Sequence, residues 1–286
     1  MRKLIIGMFL ILLFLPKHTY ANEGEVYVAL GDSLAAGQTP YAQIDAGYTD
    51  FIALQLMRHQ KLAQFSKELA FPGYRVQNVI DSIQTEQAQQ LLKNATIVTI
   101  SAGANNLLPL ISHNPNAGTI AFSQLSANFA LNEVRIQMKE LLQQVKSKAP
   151  NATIYVMGYY FPYTSVHEKQ MLGATKELAL LNKILQQEAN IAGVKYVDVY
   201  EVFGERSLKY LPNVYDVHPN QLGYRIMANE MLAQFTGDRS LQLTEKNMPQ
   251  PSPKSFEDIL IEQQASNEVA FWGNYIAMYD FPIPIK

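Results

Sequence analysis

The chain is 286 residues long, carries 23 Lys and Arg against 25 Asp and Glu, and contains no cysteine. That balance offers no basic surface to nucleic acid, and a chain without cysteine has no disulfide framework. Stability must therefore come from a sizeable apolar core; the length suffices for a single α/β core, with one domain or two left open.

The chain begins Met1-Arg2-Lys3, runs apolar from residue 4 to residue 15, and passes through Pro16 to a polar stretch ending Thr19-Tyr20-Ala21. A basic start, a short apolar segment and small residues at the third-last and last positions predict a signal peptide over 1–21, cut after Ala21. Its 12 apolar positions fall short of the about 20 that a spanning helix needs; an uncleaved anchor is the competing reading. No cysteine flanks the cut, which excludes a lipid-modified N-terminus. Removal of 1–21 takes Arg2, Lys3 and Lys17 and leaves 20 basic residues against 25 acidic ones. The expectation is a secreted protein, outside the cell or in a periplasmic or cell-wall space. It has no stable membrane anchor after cleavage and no nucleic-acid partner.

Short apolar runs rich in β-formers then alternate with longer helix-like stretches. Strands are predicted at 26–30, 67–71, 96–102, 153–159 and 194–200, and amphipathic helices at 133–148 and 168–192 among others. This βαβα alternation implies a parallel sheet covered by helices on both faces, with right-handed crossovers. Ligands of such sheets bind outside the carboxyl ends of the strands. After Gly237 the composition turns polar and leads into Pro249, Pro251 and Pro253, which reads as a linker. Ser255 and Asp258 fit a capping box that opens a short helix. The last segment gathers Phe271, Trp272, Tyr275, Tyr279 and Phe281, either as cover packed on the main domain or as a flap or sugar-binding surface. The expected division is a signal peptide (1–21), a main domain (22–237) and a Pro-containing linker with an aromatic-rich extension (238–286).

Four features sit where the carboxyl-end rule directs attention. Gly31-Asp32-Ser33 follows the first strand, and a serine opening a helix there offers its hydroxyl to the crevice and its own N–H to an anion. The bland alternative for Ser33 is a helix N-cap. A serine nucleophile needs a base. Of the four histidines past the signal segment, His59, His113 and His167 suit the surface, while His218 stands in Asp216-Val217-His218-Pro219-Asn220. Pro219 biases His218 to an extended backbone, Asp216 can take its second ring N–H, and Asn220 can cap the helix that follows. The alternative is a satisfied loop histidine. Gly73, after the second strand, and Asn105, after the third in Ser101-Ala102-Gly103-Ala104-Asn105-Asn106, are candidate oxyanion donors, or turn residues. Neither a Gly-x-Ser-x-Gly elbow nor a His-Glu-x-x-His zinc motif occurs.

This set resembles the SGNH (GDSL-type) hydrolase family, whose blocks carry Ser, Gly, Asn and His in that chain order. Ser33, Gly73, Asn105 and His218 each fall on a block, and the resemblance spans residues 26 to 236. It implies a flavodoxin-like three-layer α/β/α sandwich around a mostly parallel five-stranded sheet, and no cofactor. The activity implied is that of an esterase or lipase, with Ser33, His218 and Asp216 as triad. The oxyanion hole implied is built from the Ser33 and Gly73 N–H groups and the Asn105 side chain. Two positions depart from the pattern: Asn106 stands where the family usually has Asp, and Asp216 lies two residues before His218 instead of three. The second leaves Asp216 or a backbone carbonyl to orient the ring.

Leu107, Leu108, Leu110 and Ile111 after the third strand, and Tyr159, Tyr160, Phe161 and Tyr163 after the fourth, are candidates for an acyl pocket or for core packing. The aliphatic residues favour a lipid or simple ester and the tyrosines a carbohydrate O-deacetylase. A binding module without catalysis on the same fold is the third reading.

Overall fold

The computed structural model describes residues 24–261 apart from 205, 206, 256 and 260. The expected signal peptide and the aromatics from Phe271 to Phe281 lie outside the described residues. In chain order the elements are β1 (Glu25–Gly31), α1 (Ser33–Ala36), α2 (Tyr48–Arg58), β2 (Leu62–Ala70), α3 (Val76–Ser82), α4 (Glu86–Asn94), β3 (Ile97–Ser101) and α5 (Ala104–Leu107). There follow β4 (Ser112–Asn114), β5 (Thr119–Ala121), α6 (Gln124–Lys148), β6 (Thr153–Met157), α7 (Glu168–Ala192), β7 (Lys195–Val197), α8 (Tyr200–Phe203) and α9 (Gln221–Thr236).

Five of the strands form one parallel sheet in the order β2-β1-β3-β6-β7. Every residue of β3 is buried, so both faces of the sheet centre are covered. The covering helices fall into two groups: α2 packs on α9, and α3, α4 and α7 pack around α6. The result is the α/β/α sandwich expected from the sequence. Its core is filled by side chains such as Tyr27, Leu30, Tyr48, Phe51 and Ile100. The long helices follow the apolar spacing: Ala127, Ala130, Leu131, Val134, Met138, Leu141 and Val145 make one buried stripe on α6.

The interior strands β1 and β3 match the sequence reading to within one residue, β6 stops at Met157, two residues short of the expected 159, and the edge strands depart further. β2 begins five residues before the expected 67, because its first four residues are partly or fully exposed at the sheet edge. β7, the other edge, stops at Val197, since the Asp198 carboxylate accepts the Tyr200 N–H at 2.7 Å and turns the chain into α8. α6 starts nine residues before the expected 133, capped by Ser123. The β4–β5 hairpin has no counterpart in the expected elements. Its two three-residue strands carry too short a pattern to read.

The expected linker after Gly237 is corrected by the structure for residues 238–255. Leu241 and Leu243 are buried in the main core. Asn229 holds Leu243 through both backbone groups, at 2.8 and 3.1 Å. Farther on, Ser252 N–H donates to Asp45, and Ile44 and Lys254 exchange backbone bonds of 2.9 and 2.8 Å. This stretch is a strap bound to the domain. The Ser255 hydroxyl accepts the Asp258 N–H at 3.0 Å, opening a helical turn at 257–259.

Candidate active site

The sheet register sets Gly31 level with Ala70 on one side and Ser101 on the other, so three carboxyl ends meet. Gly31 has φ 138° and lies so close to Ser101 that a Cβ there would stand 2.1 Å from its carbonyl oxygen. Only glycine allows β1 to leave the sheet at this point. Asp32 then caps α1, its Oδ1 accepting the Leu34 N–H at 3.0 Å. Ser33 is therefore the first residue of the helix and not its N-cap, because the preceding carboxylate already does that work.

Asp32 is 1% exposed and also accepts the Ser101 hydroxyl at 2.9 Å and the Tyr159 hydroxyl at 2.6 Å. Burial pushes its carboxyl above the usual range, with the Tyr159, Ser101 and Leu34 hydrogen bonds and His218 opposing. The Ser33 turn is thus held from β3 and from the segment after β6 through one buried carboxylate. Nothing in the sequence pattern marked Asp32 or Tyr159 for this role. Tyr159 lies just past the carboxyl end of β6, which is the one signal that could have found it.

His218 enters on the loop before α9, whose N-terminus Asn220 caps through the Gly223 N–H at 3.0 Å. Its Nε2 lies 2.8 Å from Ser33 Oγ, and its Nδ1 lies 2.7 Å from Asp216 Oδ1. The same Asp216 oxygen accepts the His218 backbone N–H at 2.8 Å. A two-residue spacing therefore closes into a local turn that grips both backbone and ring, and the orienting group is the Asp216 side chain instead of a backbone carbonyl. Partial burial acts to raise the Asp216 carboxyl, but the hydrogen bond and charge of His218, with the His218 and Val217 N–H groups, outweigh it and hold the group below its usual value. Gln38 Nε2 stands 3.4 Å from His218 Nδ1. Tyr160 anchors the loop by donating to the Val217 carbonyl at 2.7 Å, its ring stacked on Phe203.

Asn105 opens toward the same pocket as Ser33 and His218. Its amide donates one hydrogen to the Tyr74 carbonyl at 2.9 Å, which leaves the second for a ligand. Gly73 sits in the neighbouring exposed turn with φ 84°, next to that carbonyl, and does not line the pocket. Asn106, the departure from the family pattern, is buried; it accepts the Val76 N–H and donates toward Glu133 and Gln137, tying α3 and α5 to α6.

Ser33 faces a pocket of about 870 Å³, counting its open mouth. All eight residues proposed from sequence for an acyl pocket line it, and the four aromatics are also buried. The Tyr159 and Tyr160 hydroxyls are engaged by Asp32 and Val217, so those rings show the pocket hydrocarbon faces and not free hydroxyls. The hairpin flanks this side: Ile120 and Phe122 pack with Phe161, Tyr163 and Met171 in a second, smaller apolar cluster. Among the described residues no three His, Asp or Glu side chains gather to hold a metal ion, and no helix is long and apolar enough to cross a membrane.

Comparison with known proteins bears on the family and the fold. Residues 29–226 match the model of the GDSL-like Lipase/Acylhydrolase family. A curated relative, the uncharacterized protein YpmR of Bacillus subtilis (strain 168), is 22% identical over 227 residues, covering 74% of this chain and 82% of that protein. Among solved structures, the lipase Lip_vut3 from a goat rumen metagenome superposes with a TM-score of 0.58 at 20% identity, covering 75% of this chain and 98% of its own. A catalytic mutant of Axe2, an acetylxylan esterase from Geobacillus stearothermophilus, gives 0.56 at 15% identity, covering 78% and 98%. These identities establish a shared fold and leave substrate open. With the family model matching more than half of its length, the chain belongs to the GDSL-like lipase/acylhydrolase family.

Proposed function

We propose that the protein is a secreted serine ester hydrolase that cleaves carboxylic esters with apolar acyl groups through an acyl-enzyme on Ser33. One observation carries the reading: a hydrogen-bonded chain from Ser33 through His218 to Asp216, with links of 2.8 and 2.7 Å, opens into an apolar pocket. His218 Nε2 takes the Ser33 proton as Oγ attacks the ester carbonyl, and Asp216 holds the proton on Nδ1 and stabilises the imidazolium. The oxyanion is met by the Ser33 N–H and the free Asn105 amide hydrogen, with the Gly73 N–H in the adjoining turn as the third donor the family resemblance implies. His218 returns the proton to the leaving alcohol, and water then repeats the cycle on the acyl-enzyme. The export reading rests on the first 21 residues, and N-terminal sequencing of protein from the medium should begin at Asn22.

The test is hydrolysis of p-nitrophenyl esters from acetyl to dodecanoyl, with Ser33→Ala alongside. Ser33-dependent turnover with an optimum beyond acetyl is expected from the apolar pocket. An acetyl optimum moves the assignment to a carbohydrate O-deacetylase, and turnover undiminished in Ser33→Ala overturns the site.

A further inference from the structure

The lining of the pocket carries three Asp, Glu or His side chains: His218 pairs with Ser33, Asp32 holds the Ser33 turn, and Glu177 does neither. Glu177 lies on the buried stripe of α7, among Met171, Ala174, Leu181 and Leu185, and is only 6% exposed. One of its oxygens, Oε1, accepts from Gln124 Nε2 at 3.0 Å. The other, Oε2, is buried and meets no hydrogen-bond donor among the described residues. None of the ion pairs among the described residues includes it.

A carboxylate half-satisfied in an apolar wall is costly, and each such group in a folded protein calls for a cause. Packing alone does not supply one, since a leucine would continue the stripe of α7 without the penalty. Position does. Leu181, four residues on, fills the space over Gly103, its Cδ1 standing 3.4 Å from where a Cβ would be. Gly103 opens the turn that carries Asn105. Four residues of helix advance about 6 Å, which sets Glu177 roughly one turn from the oxyanion block, beside the space an acyl chain would fill.

We propose that Glu177 is the specificity residue of the acyl pocket, accepting a hydrogen bond from a hydroxyl or ammonium group carried on an otherwise apolar acyl chain. This rests on the ester-hydrolase reading of Ser33. The missing partner of Oε2 is brought by the substrate, reached by a rotation of the Glu177 side chain into the pocket, so an acyl group with a donor gains what a plain chain of equal length cannot. A site built to meet a polar group discriminates strongly against the analogue that lacks it, because its own polar atom is then left unpaired.

The experiment compares kcat/KM for p-nitrophenyl hexanoate and octanoate with their 3-hydroxy, ω-hydroxy and ω-amino forms, on the wild type, Glu177→Leu and Glu177→Gln. In the wild type at least one hydroxy or amino ester should exceed its plain counterpart by about tenfold or more, as expected of a hydrogen bond to a charged group. Glu177→Leu should bring that ratio to one or below while plain esters are still hydrolysed. Glu177→Gln keeps the shape and the contact with Gln124, and should lose an ammonium preference outright and a hydroxyl preference in part. Wild-type ratios near one for every form overturn the inference, as does a preference that survives both substitutions; if Glu177→Leu does not fold, Glu177→Gln decides. Ser33-dependent hydrolysis without any preference sinks this inference alone. Failure of every ester to show Ser33-dependent turnover sinks the hydrolase reading and this one with it.

Discussion

Ser33 and His218 stand 185 positions apart in the chain and 2.8 Å apart in space. A serine hydroxyl is inert near neutral pH without a base at that range, so the contact is the chemical content of the site. Ser33→Ala and His218→Ala should each lower kcat/KM by about 10⁴-fold or more, measured on the best p-nitrophenyl ester, with the fold intact by circular dichroism. Asp216→Asn should lower kcat by roughly 10²- to 10⁴-fold with little change in KM, because the ring tautomer is lost while the pocket is untouched. The same substitution has a second signature. The folded Asp216 carboxyl is held below its usual value, so the unfolded chain binds more protons on acidification. Its stabilisation is therefore full above the unfolded value and is lost as pH falls through the folded one. Melting curves from pH 7 down to pH 3 should show a smaller loss of Tm in Asp216→Asn than in the wild type; an identical acid-side loss contradicts the assigned contact.

Elements rather than single residues hold Ser33 in place. Asp32 joins the start of α1 to β3 through Ser101 and to the segment after β6 through Tyr159. Tyr159→Phe leaves that buried carboxylate one donor short, so a loss of about 1–3 kcal/mol in denaturant unfolding is expected, accompanied by a fall in kcat. A comparable tie lies beneath the site, where Lys67 of β2 meets Asp50 of α2 at 2.7 Å and donates to the Ala36 carbonyl of α1. Both side chains of that pair are 6% exposed. Lys67→Met strands the Asp50 charge and should cost about 3–5 kcal/mol, read from the same unfolding curves. The strap after Gly237 contributes in another way. Leu243 is 1% exposed and paired to Asn229 at both backbone groups. Leu243→Ala should cost about 2–5 kcal/mol, whereas a free linker would register almost nothing.

Across the whole molecule, legibility followed burial. Strands β1 and β3 lie inside the sheet, so residues 26–30 read as an unbroken apolar run and 96–102 as a β-branched one broken only by small hydroxyl residues. The edges β2 and β7 miss their expected bounds because half-exposed strands dilute that signal and local capping by Asp198 competes with it. Ser33, His218 and Asp216 were legible because motif residues declare themselves one at a time, and the structure brings all three into one hydrogen-bonded chain. Asn105 reaches the same pocket, while Gly73 stays in the turn beside it. The roles of Asp32, Tyr159 and Glu177 had no such label, since each depends on which distant side chain packs against it. The polar, Pro-rich composition after Gly237 pointed to a linker, but two leucines within it are enough to seat the strap in the core.

Activation of Ser33 by His218 is tested most directly by a fluorophosphonate probe, with the labelled residue located by peptide mass spectrometry on the wild type, Ser33→Ala and His218→Ala. Stoichiometric labelling at Ser33 in the wild type, abolished in the first variant and slowed by orders of magnitude in the second, is the expected result. An unlabelled wild type, or labelling as fast without His218 as with it, would contradict the account and leave the fold as a binding module.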